Sequence, residues 1–435
     1  MDIAKTIKEK EVKFINLCFA DIAGRLRLLT VPAQEIDTVL EEGLCFDGSS
    51  VGFGGVESSD FGLIPEPESF APLPWEPPET RGACMICDIY SLGKQAEVDP
   101  RWVLKKEIKR MKQALGGEIE YMVAPEMEFF LFEKEGGKIT FHDRGRYLST
   151  LPDDRGYDLS LRKEISIMLE QMGICPVKAH HEVPASKHEI DFMFGPAIKM
   201  ADAALLYKFA VKSAATAKGL VASFMPKPFA GEYGAGMHVH QCLLDHGENV
   251  FYGREGALSD LTLHFIGGLL DHAKALTAIT CPTINSYKRL VPGWEAPSYV
   301  SWATHNRSVL IRVPSFSRPK GARIEYRAPD GSCNLYLALA VMLAAGIDGI
   351  KREVEPPPMI EESVYRMTPA ERRRQGIGSL PSNLSEALDA LERDELIRES
   401  LGEQLYKRFV DLKRGEWREY SVQVGDWERE KYLNV

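Results

Sequence analysis

Residues 124–132 constrain the fold most, because they set two carboxylates into an otherwise apolar run. The run is rich in phenylalanine and alternates with a period of two, which predicts a buried β-strand. On a strand, Glu126 and Glu128 point to one face and Met127 to the other, with the glutamate Cα atoms roughly 6.6 Å apart. Carboxylates this close repel one another and lose solvation, so we expect cations beside them. An isolated Glu-x-Glu is more often a solvated strand edge, and the interpretation therefore depends on other stretches.

Composition limits the class of protein. The chain has 435 residues, 44% hydrophobic and 27% charged, which suffices for a large core and two or more domains. The formal net charge of −10 argues against a general nucleic-acid-binding protein, whose surface would be basic. No apolar run has the length of a membrane span, and the sequence starts without the apolar core of a signal peptide. We therefore expect a cytoplasmic protein with reduced cysteines that binds neither nucleic acid nor membrane.

A first domain is predicted for residues 1–99, which hold short strand-like runs separated by turns. Residues 14–20 and 26–31 predict a strand pair. A glycine- and serine-rich loop follows at 46–55. Loops of this kind on a small β domain often bind ligands, although most are only turns.

A helix start marks the second domain. Asp99 suits a helix N-cap and Pro100 the first helical residue, so we place the boundary between residues 99 and 100. In residues 100–435 strands alternate with helices, including one helix predicted over 258–279. The pattern predicts an α+β domain built on a largely antiparallel sheet.

The first stretch that matches the two glutamates is a predicted hairpin over residues 180–192. Its turn holds proline and small residues, and the two strands would set Glu182 close to Glu189. A surface hairpin with two solvated glutamates is the commoner arrangement.

The second stretch, residues 231–240, carries three glycines within six residues, which allows close approach of backbone to a ligand. Period-two alternation then puts His238 and His240 on one face. A buried histidine is more often a hydrogen-bonded core residue than a ligand, so this stretch alone is weak evidence.

The third stretch is a predicted strand that presents Arg323, Glu325 and Arg327 on one face. Such a face can be a salt-bridged surface. Other arginines suggest a basic lining for phosphate or carboxylate groups instead. They are Arg289, Arg307 and Arg312.

Together the stretches supply five glutamates and one histidine as candidate ligands. Ligand sets dominated by oxygen suit Mg²⁺ or Mn²⁺ rather than zinc or copper. Five carboxylates are too many for one ion and about right for two. Arginines beside two hard divalent ions suit phosphoryl transfer, and the absence of a G-x-x-x-x-G-K-[ST] motif excludes a P-loop.

Longer motifs occur along the whole chain at 46–50 (FDGSS), 125–130 (PEMEFF), 180–183 (HHEV), 224–228 (FMPKP), 285–293 (NSYKRLVPG) and 306–308 (NRS). By these motifs the sequence resembles the bacterial and archaeal type I glutamine synthetase family. The resemblance implies a small N-terminal β-grasp domain and a larger catalytic domain with a curved antiparallel sheet of the glutamine synthetase and guanido kinase type. It also implies a homo-oligomer, a dodecamer of two stacked hexameric rings.

The implied activity is that of a glutamate–ammonia ligase that uses ATP and two or more Mg²⁺ or Mn²⁺ ions, and forms L-glutamine through a γ-glutamyl phosphate. The implied ligands of the first ion are Glu128, Glu182 and Glu189. Those of the second ion, which bridges the ATP phosphates, are Glu126, His238 and Glu325.

The resemblance also implies other site residues. The catalytic residues are Asp47, Glu295 and Arg307, and the amino-acid and ammonium contacts are Ser50, Gly234, Arg289 and Arg327. The ATP contacts are His240, Arg307, Arg312, Lys320 and Arg323. Asp47 and Ser50 would serve a neighbouring subunit, because in this family the small domain completes the next subunit's ammonium pocket.

Three departures from the family pattern leave alternatives open. Tyr233 stands where asparagine is usual beside the substrate, Ala235 replaces a common serine, and Ser186-Lys187 replaces a usual Gly-Gln. One alternative is a related ligase that joins glutamate or another acid to a larger amine, such as a polyamine or ethanolamine. A less favoured alternative is an inactive structural or regulatory homologue, against which the complete ligand set argues.

Overall fold

The computed structural model describes residues 2–149, 159–253 and 256–435. Its smaller sheet consists of short strands from the N-terminal part of the chain. They are β1 (Phe14–Ala20), β2 (Leu26–Pro32), β3 (Leu44–Asp47), β4 (Asp60–Pro65), β5 (Ala71–Pro72), β6 (Gly82–Ser91) and β7 (Lys94–Gln95), with helices α1 (Ile3–Glu9) and α2 (Ile36–Glu42). β1 pairs antiparallel with β2, as predicted, and parallel with β6. This mixed sheet agrees with the predicted β-grasp domain.

The larger sheet carries most of the predicted site. Its strands are β8 (Ile119–Glu135), β9 (Lys138–Phe141), β10 (Pro176–His181), β11 (Lys187–Phe192), β12 (Gly195–Pro196), β13 (Val221–Ser223), β14 (Met237–Asp245), β15 (Glu248–Asn249), β17 (Trp302–Ala303), β18 (Ile311–Arg312) and β19 (Ile324–Tyr326). The intervening strand β16 (Tyr299–Val300) belongs to a separate sheet. The main order is β10-β11-β8-β14-β19-β18-β17. Among the described strands of this sheet, β17 and β18 pair parallel and the other pairs are antiparallel, as predicted. β16 pairs with β20 (Gly378–Ser379).

Helices cover the larger sheet and form the C-terminal part. They are α3 (Pro100–Leu115), α4 (Leu159–Gln171), α5 (Ala197–Ala217), α6 (Asp260–Asp271), α7 (Ala273–Thr280), α8 (Ser286–Arg289), α9 (Leu335–Arg352), α10 (Pro369–Arg374), α11 (Leu384–Arg393), α12 (Glu395–Leu401), α13 (Glu403–Ser421) and α14 (Asp426–Tyr432). α9 is buried along most of its length because it is apolar on all sides. In the described part of the chain, no helix combines the length and hydropathy needed to cross a bilayer.

The helix predicted over residues 258–279 is wrong in its continuity. Two helices, α6 and α7, meet at His272. The His272 ring contacts Asp394 Oδ2 at 2.7 Å and Asp348 Oδ2 at 3.2 Å. No glycine or proline marks this break, so the apolar period continues through it in the sequence.

Buried polar contacts join the small sheet to the helices of the larger domain. Arg101, at the start of α3, contacts Asp88 of β6 at 2.5 Å and Asp202 of α5 at 3.0 Å. The Asp99 side chain accepts a hydrogen bond from the Arg101 backbone amide and caps the helix as predicted. The Asn334 side chain donates to the Asp21 carbonyl at 3.0 Å. The division at residues 99 and 100 stays a prediction.

Helices α6 and α9 pack at a glycine–glycine contact. A Cβ added at Gly268 would lie 2.7 Å from the Gly349 amide nitrogen and would also meet the Ala345 carbonyl oxygen. Both neighbouring atoms belong to backbone, so the helices would have to separate.

We therefore expect Gly268→Ala to destabilise the protein by about 1–3 kcal/mol, because the added methyl overpacks this contact. Gly415→Ala is the matched control, since Gly415 also lies inside a helix but has open space around its Cβ position. The control should stabilise by roughly 0.5–1 kcal/mol through its higher helix propensity. Thermal unfolding of both variants checks this, and equal midpoints would contradict it.

Candidate active site

A polar cavity of about 390 Å³ lies on the large sheet and is lined by most of the predicted site residues. They are Glu126, Glu128, Glu182, Glu189, Gly234, His238, His240, Arg289, Glu295, Arg307, Arg312, Arg323, Glu325 and Arg327. Stretches that lie far apart in the chain thus converge on one cavity.

Strand register brings the predicted ligands of the second ion together. Glu126 on β8 lies directly opposite His238 on β14. His238 Nδ1 lies 3.4 Å from Glu126 Oε2 and 3.5 Å from Glu325 Oε1. These three residues form a group whose ligand atoms all lie within 4.8 Å of one another. Two carboxylates and one imidazole in this arrangement fit a hard divalent cation.

Neighbouring side chains favour the ionised form of both carboxylates of this group. Burial alone would raise the pKa of Glu126, but hydrogen bonds with His238 and His240 bring it well below its usual value. Burial is also the largest single influence on Glu325 and opposes its ionisation, but the Arg327 guanidinium and the neighbouring histidines together lower its pKa. Glu325 is ion-paired with both Arg312 and Arg327. The group is therefore acceptor-rich and ionised.

The predicted hairpin forms from β10 and β11, and it carries a second group of ligand type. His180 Nδ1 lies 3.4 Å from Glu182 Oε1, and His180 Nε2 lies 3.4 Å from Glu189 Oε1. His180 was not predicted as a site residue, although its period-two spacing from Glu182 places both on one face. Burial raises the pKa of Glu189 to about 11, with repulsion from Asp191 adding to the effect.

Glu128 has a different environment from the other two predicted ligands of the first ion. Its Oε2 accepts from Lys187 Nζ at 2.9 Å and from the Gly236 amide at 2.7 Å. Within the described residues, Glu128, Glu182 and Glu189 do not form a converging group of the kind found for the second ion. Glu182 and Glu189 instead form such a group with His180, and the predicted set that includes Glu128 stays a prediction.

Arginines form another part of the lining. The buried Arg289 donates to the backbone carbonyls of Ala328 at 2.7 Å and Arg327 at 3.1 Å. Arg323 Nε donates to His240 Nδ1 at 3.2 Å. Arg307 is exposed in the lining. Several guanidinium groups in one cavity lining can bind phosphate and carboxylate oxygens.

The loop with Glu295 borders the cavity in a strained conformation. Glu295 has φ +55°, which is unusual for a residue other than glycine. Its carbonyl accepts from the Arg327 guanidinium at 3.3 Å. The neighbouring Trp294 ring packs edge-on against Tyr233 at 5.4 Å between centroids, and Lys227 Nζ lies 4.3 Å from the Trp294 ring centroid. Tyr233 thus contacts the loop that carries Glu295.

Three predicted site residues lie outside the lining of this cavity. Asp47 is exposed and accepts hydrogen bonds from the hydroxyls of Ser49 and Ser50, each at 2.6 Å. These hydroxyls lower the pKa of Asp47. Lys320 lies exposed in a 3₁₀ turn, Pro319–Gly321. The chain does not bring Asp47, Ser50 or Lys320 into its own cavity lining.

Comparisons with known proteins identify relatives over nearly the whole chain. Residues 11–92 match the family model "Glutamine synthetase, beta-Grasp domain" and residues 97–432 match "Glutamine synthetase, catalytic domain". The glutamine synthetase of Pyrococcus abyssi is 46% identical over 97% of both chains. That of Thermus thermophilus is 46% identical over 99% of this chain and 98% of its own. A solved structure described as "GmaS/ADP complex-Conformation 1" superposes with a TM-score of 0.90, at 32% identity and 100% coverage of both chains. These matches confirm the predicted fold class.

We expect Glu325→Gln to lower the affinity for a divalent ion by at least about 100-fold and to abolish turnover, since it removes a charged ligand. Glu133→Gln is the matched control, because Glu133 also lies on this sheet and contacts a histidine, His142, at 3.0 Å, but outside the cavity lining. Mn²⁺ titration of both folded variants measures the difference. Normal Mn²⁺ binding by Glu325→Gln would show that this group holds no ion.

Replacing Tyr233 should separate pocket size from loop packing. Tyr233→Asn frees space and offers an amide that both donates and accepts, so we expect the KM for glutamate to fall by roughly one to two decades. Tyr233→Phe keeps the ring against Trp294 and should leave that KM within about threefold. Steady-state kinetics with both variants test this. An unchanged or higher KM in Tyr233→Asn would mean that the tyrosine does not obstruct glutamate.

Proposed function

The chain belongs to the glutamine synthetase family, and we propose that it is an ATP-dependent ligase that forms L-glutamine from L-glutamate and ammonia. The observation that carries the proposal is the single cavity in which an ionised ligand group, Glu126, His238 and Glu325, faces several arginines. Such a site can neutralise phosphate and carboxylate charge together.

The chemistry follows from the poor reactivity of a carboxylate. An oxygen of the glutamate γ-carboxylate attacks the γ-phosphorus of ATP, ADP leaves, and a γ-glutamyl phosphate remains. Ammonia then attacks the activated carbon, and phosphate leaves with the bonding electrons. A divalent ion bound by the acidic group supplies charge neutralisation for the phosphates.

The residues of the cavity divide into two roles. Arg289, Arg327 and the Gly234 backbone bind the amino acid, which places the γ-carboxylate beside the acidic group. Arg307 and Arg312 bind the phosphates of ATP, His240 and Arg323 contact ATP from the lining, and Lys320 contacts it from the exposed turn Pro319–Gly321 outside the lining. Fixed guanidinium groups stabilise transferred charge without reorganising, which is how they accelerate the first step.

Ammonium must lose a proton before it can attack. Glu295 borders the cavity on an exposed loop, where its carboxylate can accept that proton when the loop closes. Asp47 and Ser50 act from a neighbouring subunit, and the proposal is supported by their position outside the chain's own cavity lining. The active form is therefore a ring-shaped homo-oligomer, a dodecamer of two hexamers. The proposal also places the enzyme in the cytoplasm, with Mg²⁺ or Mn²⁺ as its ions.

Product analysis tests the proposal directly. The purified protein is incubated with ATP, Mg²⁺ or Mn²⁺, and glutamate, with ammonia, methylamine, ethanolamine or a polyamine as the amine. Glutamine and stoichiometric phosphate with ammonia are expected. Faster conversion of one of the larger amines would replace this substrate assignment. Phosphate release from glutamate and ATP that depends on none of these amines would overturn it.

Mixing variants tests the shared site. Asp47→Ala and Arg307→Ala subunits should each be inactive, and mixed oligomers should regain part of the activity, because some sites combine an intact Asp47 with an intact Arg307. Subunit exchange is verified by mass spectrometry of differently tagged chains. Mixed oligomers without activity would indicate that each chain builds its own site.

A further inference from the structure

A lysine ammonium lies among the carboxylates on the hairpin side of the cavity. Lys187 is the first residue of β11, and its side chain is 6% exposed. Its Nζ lies 2.9 Å from Glu128 Oε2 and 3.6 Å from Glu182 Oε2. Two of the three predicted ligands of the first ion are thus turned toward an internal cation.

The contacts of Lys187 Nζ fix its ammonium between the carboxylates. Besides approaching Glu128 and Glu182, Nζ donates to the Gly234 carbonyl at 3.0 Å, which fixes the ammonium from a second direction. An ammonium with these partners places its charge directly between the two carboxylates.

Among the residues that the structure describes, no such internal cation lies between the predicted ligands of the second ion. There the ligand atoms of Glu126, His238 and Glu325 approach one another, and the arginines contact Glu325 alone. At Glu128 and Glu182 the carboxylate oxygens approach Nζ instead. A divalent ion could bridge these two carboxylates only after the ammonium had moved.

We propose that the Lys187 ammonium takes the place of a divalent ion between Glu128 and Glu182. This inference rests on the proposed function only in taking the cavity to be the active site of a ligase. The position then carries one positive charge instead of two, and that charge is present before any ligand binds. Because Nζ also contacts Gly234, the same lysine sets the backbone that binds the amino acid.

Mn²⁺ binding to the full-length protein, measured by titration calorimetry and by the EPR signal of free Mn²⁺, tests this. Lys187→Gln removes a repelling charge between Glu128 and Glu182. It should therefore bind one Mn²⁺ per subunit at this position at least about tenfold more tightly than wild type does. Adding Glu128→Gln should cost at least about tenfold in the Lys187→Gln background and no more than about threefold in wild type. Lys218→Gln is the matched control, because Lys218 also contacts a glutamate, Glu164 at 2.9 Å, but at the surface.

A measurement on the unaltered protein covers the case in which Lys187→Gln fails to fold. Anomalous scattering from wild-type crystals grown with Mn²⁺ should place no ion between Glu128 and Glu182. An ion at that position, or equal Mn²⁺ affinities in wild type and Lys187→Gln, would overturn the inference. None of these readouts requires turnover. A protein that binds Mn²⁺ as expected but forms no glutamine would therefore contradict the proposed function alone.

Discussion

The backbone pairing of β14 with β8 on one side and β19 on the other is the constraint on which the site depends. It sets His238 opposite Glu126 and His240 opposite Glu325. A slip of one residue in either ladder would turn every side chain of that strand to the other face and would bury charges in the apolar layer. The buried Met127 and Val239 on the opposite face resist such a slip, so the hydrophobic core fixes the position of the ligands.

Charge balance in the cavity is uneven along the sheet. Glu126 and Glu325 are compensated by histidines and arginines, and their pKa values are lowered. On the hairpin side, burial and the neighbouring carboxylates raise the pKa of Glu189 to about 11. The two ends of the cavity therefore differ in their demand for positive charge before any substrate enters. Lys187 supplies part of that charge from within the chain.

Much of this arrangement could be predicted from the sequence, because a period of two assigns a face without knowledge of the fold. That reasoning placed Glu126 and Glu128 on one strand face, and His238 with His240 on another. It missed His180 as a neighbour of Glu182, since one histidine of a pair gives no sign of its partners. It also missed the contact of Lys187 with Glu128, because a lysine in a turn is ordinarily solvated. The break at His272 depends on Asp348 and Asp394, which lie far away in the chain.

Arg101 of α3 links Asp88 of the small sheet to Asp202 of helix α5. Because this buried link holds the small domain against the large one, Asp47 has a fixed position on the surface of its own chain. If that surface completes a neighbouring chain's cavity, the position of Asp47 in that cavity is set by the Arg101 contact in the chain that supplies Asp47. A substitution at Arg101 would then leave the cavity lining of the altered chain intact. The defect would appear in the neighbouring chain, because Asp47 would no longer be held in position to complete that chain's cavity.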